Sequence, residues 1–150
     1  MIPPVVLVLW AMDPVVIFSS QQLADAIDNL FDPTSDIEQV IVLYGIQTND
    51  VYAVSTLRMV TNVHPTPQTH WRVTKGEVNS AADGRRPVGI IHSHLLADDY
   101  LPSLNDLNSL PFGCIGAVWC FGTLSWYRSG SLEPDVEVRI ANHSRSASAS

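Results

Sequence analysis

The apolar positions of the chain follow two periods that alternate along it. Val5 to Trp10 and Val15 to Phe18 are short apolar runs around Met12-Asp13-Pro14, which reads as two strands and a turn. Ser19 or Ser20 then caps a helix, and the period changes. Leu23, Ala26, Ile27, Leu30 and Phe31 line one helical face, and Asp32-Pro33 ends it, because the residue before proline avoids the α region. Asp25 and Asp28 lie off that face and read as solvated. Ile37 to Ile46 and Val51 to Val60 read as strands of a hairpin around Thr48-Asn49-Asp50. Thr61 to Trp71 is polar, holds Pro65 and Pro67, and reads as a loop. Its His64 and His70 read as ordinary surface residues. A short helix is expected within Val73 to Ala82, then a strand at Val88 to Ile91. Leu104, Leu107 and Leu110 follow Ser103, a natural helix cap, and Ser103 with Asp106 has the pattern of a capping box. Cys114 to Phe121 and Thr123 to Tyr127 read as strands around Gly122, and Val136 to Ile140 as a short alternating strand. Ser144 to Ser150 has no apolar face to bury and reads as disordered.

This alternation predicts an α+β domain: a mixed sheet flanked by helices at 20–31 and 103–110, with a third short helix. The domain is expected over residues 1–141, with 142–150 as tail. A chain of 150 residues is long enough to bury a sizeable core.

One stretch carries chemistry. The strand from Val88 ends in His92-Ser93-His94. Histidines at i and i+2 of an extended segment point to one face. At that spacing both imidazoles can reach one small cation, with Zn–N bonds of about 2.0–2.1 Å. Asp106 offers a carboxylate as third ligand, with Asp98 and Asp99 as rivals. Three protein ligands leave a fourth tetrahedral position open, the plan of a catalytic zinc site. Ser93, between the ligands, faces away and is assigned packing or a supporting hydrogen bond.

Charge narrows the field further. The net charge of -7 and the single lysine, Lys75, lack the basic footprint of a nucleic-acid binder. No basic residue precedes Arg58, so the apolar N-terminus lacks the start of a signal peptide. Asp13-Pro14 interrupts it before a membrane span is complete. Cys114 and Cys120 lie on one apolar run, roughly 20 Å apart if extended, beyond disulfide reach. They read as reduced and buried, which suits a cytoplasmic protein. The Cys pair and the His-Glu-x-x-His helix of other zinc hydrolases are absent.

The order of these elements resembles the JAMM (MPN+) metallopeptidases, over about Val15 to Tyr127. That family shows His-x-His, a short loop, then Ser-x-x-Asp, matched here by His92-Ser93-His94 and Ser103-Leu104-Asn105-Asp106. It also has an upstream Glu on a strand that leads to a Gly, matched by Glu38 and Gly45. The loop from Leu95 to Pro102 is one residue longer than the family's usual, and Leu95 stands where the family has proline. The resemblance implies an MPN/JAB-like (cytidine-deaminase-like) fold with a curved mixed sheet. It implies Zn2+ held by His92, His94 and Asp106, with Glu38 and Ser103 as catalytic residues. Glu38 would take a proton from water and pass it to the leaving amine. Ser103 would donate a hydrogen bond to the developing oxyanion. The implied activity is hydrolysis of a peptide or isopeptide bond after the C-terminal tail of a ubiquitin-like protein, with E1/E2-type conjugation enzymes as possible operon partners. The competing expectations are a non-catalytic MPN-type scaffold and a phage-tail-type peptidase.

Overall fold

The computed structural model describes residues 20–48, 51–82, 84–110, 114–128 and 139–140. It is α+β. Helix α1 spans Ser20–Leu30, and strands β1 (Val40–Thr48) and β2 (Val51–Val60) follow. Then come α2 (Lys75–Ser80), β3 (Arg86–Ser93), α3 (Leu104–Ser109), β4 (Ile115–Cys120), β5 (Thr123–Arg128) and the two-residue β6 (Arg139–Ile140). The sheet order is β5-β4-β3-β1-β2-β6. It is mixed: β3 runs parallel to β4 and β2 to β6, and the other neighbours are antiparallel. The expected strands at Val5–Trp10 and Val15–Phe18, most of the one at Val136–Ile140, and the Ser/Ala tail lie outside the described residues.

Period-two alternation sorts the sheet's side chains onto two faces. On one face Ile41, Leu43, Ile91, Ile115, Ala117 and Trp119 pack against Leu23, Ile27 and Phe31 of α1 and its end. Those three recur every four residues, one stripe of a helix. Full burial of such side chains is worth about 1.5–3 kcal/mol each. The indole of Trp119 donates to Asp28 Oδ1 at 2.8 Å, so this aspartate is not merely solvated as its place off the apolar face had suggested. On the other face Val40, Val42, Tyr44, Ile90, Val118 and Tyr127 pack against Leu107 and Leu110 and a layer from Trp71 to Ala82. The sheet is therefore covered on both sides, and its second face leads to the histidines.

Two glycines are demanded by this packing. β4 and β5 meet with Cys120 opposite Thr123, joined by Phe121 and Gly122 with φ of 47° and 93°. Two left-handed residues make a turn whose twist matches that of the strands, and glycine adopts the second without strain. Gly116 lies beneath the Tyr127 ring; a Cβ there would be 2.5 Å from Tyr127 Cζ. Gly116→Ala is expected to destabilise the protein by about 1–3 kcal/mol through overpacking. The check is the urea midpoint, which falls with an unchanged slope.

Candidate metal centre

The β1–β3 register sets the site. His92 pairs with Val40. The ordered ladder ends near there, and β1 begins at Val40 rather than at Ile37 as the apolar pattern suggested. The reason is where the backbone donors go. Glu38 N–H donates to Pro67 O at 2.7 Å, in the loop after β2, instead of to a neighbouring strand. The strands still hold together beyond the ladder. Ser93 N–H donates to Gln39 O at 2.9 Å, and Gln39 N–H donates to Ser93 Oγ at 2.8 Å. Ser93 thus has the supporting role expected of it. Asn62 Nδ2 donates to the carbonyls of Glu38 (2.8 Å) and His70 (2.9 Å), tying the loop to the same point. Carrying the antiparallel register two residues onward sets Glu38 against His94.

The third ligand arrives with α3. Ser103 is its N-cap, in the capping box that the sequence suggested. Ser103 N–H donates to Asp106 Oδ2 at 2.8 Å, and Asp106 N–H donates to Ser103 Oγ at 3.1 Å. Trp71 Nε1 donates to the other carboxylate oxygen at 3.1 Å. The Trp71 ring also stacks on His92, with centroids 5.3 Å apart. Asp106 is buried and fixed from three sides.

These elements bring three atoms together. His92 Nε2 and His94 Nε2 are 3.2 Å apart. Asp106 Oδ2 is 3.1 Å from the first and 3.5 Å from the second. Ligands at 2.0–2.1 Å around a tetrahedral zinc stand about 3.3 Å apart. The triangle therefore has the size of one face of such a tetrahedron, and one cation would satisfy all three atoms at once. Glu38 Oε lies within 4.8 Å of both histidine nitrogens, so it also belongs to the buried cluster that could hold a metal ion. Asp106 and Glu38 thus both offer a carboxylate to a cation held by the two histidines, Asp106 at the shorter distances.

The rival carboxylates are resolved by position. Asp98 accepts from the Tyr100 hydroxyl at 2.7 Å. Asp99 is a supporter of His94: its carbonyl and its Oδ2 lie 2.8 and 3.1 Å from His94 Nδ1. A donor held at Nδ1 leaves Nε2 free to face an ion.

The electrostatics follow from burial and proximity. Burial drives His92 below its usual value, and Asp106 offsets only part of that. Burial works against the charged form of His94 too, but the hydrogen bonds to Asp106 and Asp99 outweigh it and raise the group to about 9. His94 is therefore the more basic of the two imidazoles. Asp106 is held well below the carboxylate range: its burial is overcome by hydrogen bonds from both imidazoles. Glu38 is pushed up to about 7 by burial; the charge of His94 pulls it down, and those of Asp106 and Asp99 push it up again. A carboxyl poised near neutrality can take and return a proton. Below the site, Tyr127 is fully buried, and burial with the charges of Asp106 and Glu38 pushes its phenol up, so it stays neutral.

All five residues singled out from the sequence converge here. Trp71 and Asn62 were missed. Trp71 reaches Asp106 and Asn62 reaches Glu38 from a loop distant in sequence, and no motif marks such contacts. Asp99 was weighed as a ligand rather than as a support. His64 and His70 are not ordinary surface residues either: their rings stack with centroids 4.8 Å apart and line a cavity of about 710 Å³.

Comparison with known proteins adds little to this geometry. No protein family matches the chain, and neither does any curated protein. A solution structure of a protein from Salinibacter ruber is similar to it, at 23% identity over 85% of this chain and 97% of that one, with a TM-score of 0.48.

Proposed function

We propose that this protein is a zinc-dependent peptidase or isopeptidase with an MPN/JAB-type fold. The observation that carries the reading is the His92–His94–Asp106 triangle, with edges of 3.1–3.5 Å, and a buried carboxyl raised to about 7 within 4.8 Å of both imidazoles. A bound zinc ion supplies Lewis acidity and acidifies water towards a pKa of about 7. The chain's own residues supply the rest. Asp99 orients His94, and Trp71 with the Ser103 backbone orients Asp106. Glu38 accepts a proton from the attacking water and returns it to the leaving amine. Ser103 Oγ accepts from Asp106 N–H, which leaves its own O–H to donate to the developing oxyanion.

A protein substrate is favoured by the loop that joins the ligands. Leu96, Tyr100, Leu101 and Leu104 are exposed there, an unusual run of large apolar side chains on a polar surface. A ubiquitin-like protein with an extended C-terminal tail remains the proposed substrate. Among the described residues both cysteines are free and buried, and no helix is long and apolar enough to cross a membrane. That fits the proposed cytoplasmic setting.

The test is metal analysis of purified protein together with cleavage of a ubiquitin-like fusion. One zinc per chain is expected, lost in His92→Ala, with cleavage abolished by a chelator and restored by zinc. Metal-free protein that cleaves nothing yet still binds the ubiquitin-like partner would assign the scaffold reading instead.

A further inference from the structure

The cavity of about 710 Å³ shares Ser103 and Asp106 with the candidate metal centre; both form part of its wall. Its apolar wall is Trp71, Val78 and Ile90. The opposite character comes from Arg72 and Lys75, with His64 and His70 beside them. The chain holds only eight lysines and arginines against fifteen acidic residues, and Lys75 is its single lysine. Two cations on one cavity of so acidic a protein are a local reversal of its field. Neither side chain has an ion-pair partner among the described residues, and both are exposed, so their charges are available to a ligand. Glu77, the acid nearest in sequence, is turned away: its carboxylate accepts from the N–H and hydroxyl of Thr61 at 2.9 and 3.2 Å. Asp106 is the acid on the cavity wall, and its charge is already shared with the two imidazoles and the Trp71 N–H. His64 is kept below its usual value by partial burial and by its neighbours His70 and Arg72.

We infer that this cavity is a subsite for a carboxylate on the substrate, held by Arg72 and Lys75 on a wall shared with Ser103 and Asp106. The inference rests on the peptidase reading and adds its specificity: the peptide is selected by an acidic group. Two sources present that chemistry, an Asp or Glu side chain and a free C-terminal carboxylate. Arg72 can meet either bidentately, and the stem of Lys75 can lie along the apolar wall with its ammonium at the mouth.

Binding tests this apart from catalysis. The probes are acetyl-Ala-Ala-Glu-amide, acetyl-Ala-Ala-Gln-amide, and acetyl-Ala-Ala-Gln with a free C-terminus, titrated by NMR into Glu38→Gln protein so that none is consumed. At least one carboxylate peptide should bind about tenfold tighter than the neutral one, a difference of about 1.4 kcal/mol. Which one does so identifies the source. The preference should shrink with added salt and vanish in Arg72→Gln/Lys75→Gln, both exposed positions at which folding is retained; circular dichroism checks this. Arg72→Glu should invert it towards acetyl-Ala-Ala-Lys-amide. Equal binding of all three peptides would overturn the inference even if zinc and hydrolysis are found. A charge preference in a protein that neither binds zinc nor cleaves would keep the subsite and remove the peptidase.

Discussion

Glu38→Gln should lower hydrolysis by about 10²–10⁴-fold, the usual contribution of a positioned proton carrier, and should make the protein more stable at the same time. Both effects have one cause. Glu38 is buried at the end of β1 and titrates near 7 instead of 4.5. Its folded value lies above its unfolded one, so the folded state holds the proton more tightly. The associated stability is fully present below about 4.5 and is lost as pH rises through about 7. Above that pH the buried charge costs on the order of 3 kcal/mol. A neutral amide of the same shape avoids that cost. Urea melts of metal-free protein should therefore show the variant gaining about 1–3 kcal/mol at pH 8 and nothing at pH 4. Zinc content should not change, because His92, His94 and Asp106 form the tighter ligand set. A variant that loses zinc along with activity would place Glu38 among the ligands. One that loses neither would remove it from the mechanism.

A residue that weakens the fold at neutral pH and sits against two converging histidines is hard to explain as packing. The same holds for the rest of the cluster. Glu38, His92, Ser93, His94 and Asp106 are the buried polar or charged residues among those described. Four of them converge on one point, and the fifth, Ser93, ties β3 to Gln39 beside it. Stability alone would favour apolar side chains at the end of a face that carries Val40, Val42 and Ile90.

How much of this was readable beforehand depends on range. The stripe of Leu23, Ile27 and Phe31 and the apolar run from Ile37 to Ile46 are local, and they marked α1 and the strand β1, though not its two faces. The His-x-His spacing works the same way, because a strand's alternation alone sets both rings on one side. The capping box of Ser103 and Asp106 was legible because its geometry is also local, whereas Asp106 as a ligand followed from the family resemblance. Two things were not legible. The start of β1 depends on Pro67 accepting the Glu38 N–H, a contact between segments that no periodicity links. The choice among Asp98, Asp99 and Asp106 depends on how the loop folds back, which brings Asp99 to Nδ1 and Asp106 to Nε2 of the same ring. Loop length is a poor guide to such a choice, since closure entropy changes slowly with added residues.

The affinity for zinc should rise steeply with pH, by about tenfold per unit from pH 6.5 to about 9, and then level off. The sign follows from what the ion must displace. In the metal-free site the hydrogen bonds to Asp106 and Asp99 raise His94 to about 9 against its burial, while burial lowers His92. An imidazole binds a metal only after giving up its second proton, so below about 9 each unit of pH removes one decade from the competition. Asp106 adds nothing to this slope, because it stays ionised down to acid pH. Stability of the metal-free protein moves the opposite way. His94 has a folded value above its unfolded 6.5, so its contribution is complete below that pH and disappears as pH passes about 9. Raising the pH from 6.5 to 9 should thus lower the metal-free melting temperature while tightening zinc. Competition with a chromophoric chelator reads the affinity, and melts with and without excess chelator read the stability. Asp106→Asn should weaken zinc binding and make both trends shallower, since His94 loses its hydrogen bond to the carboxylate while Asp99 and Glu38 keep their own contributions. A pH-independent affinity over this range would show that His94 is already neutral in the metal-free site and that Asp106 and Asp99 do not hold a proton on it.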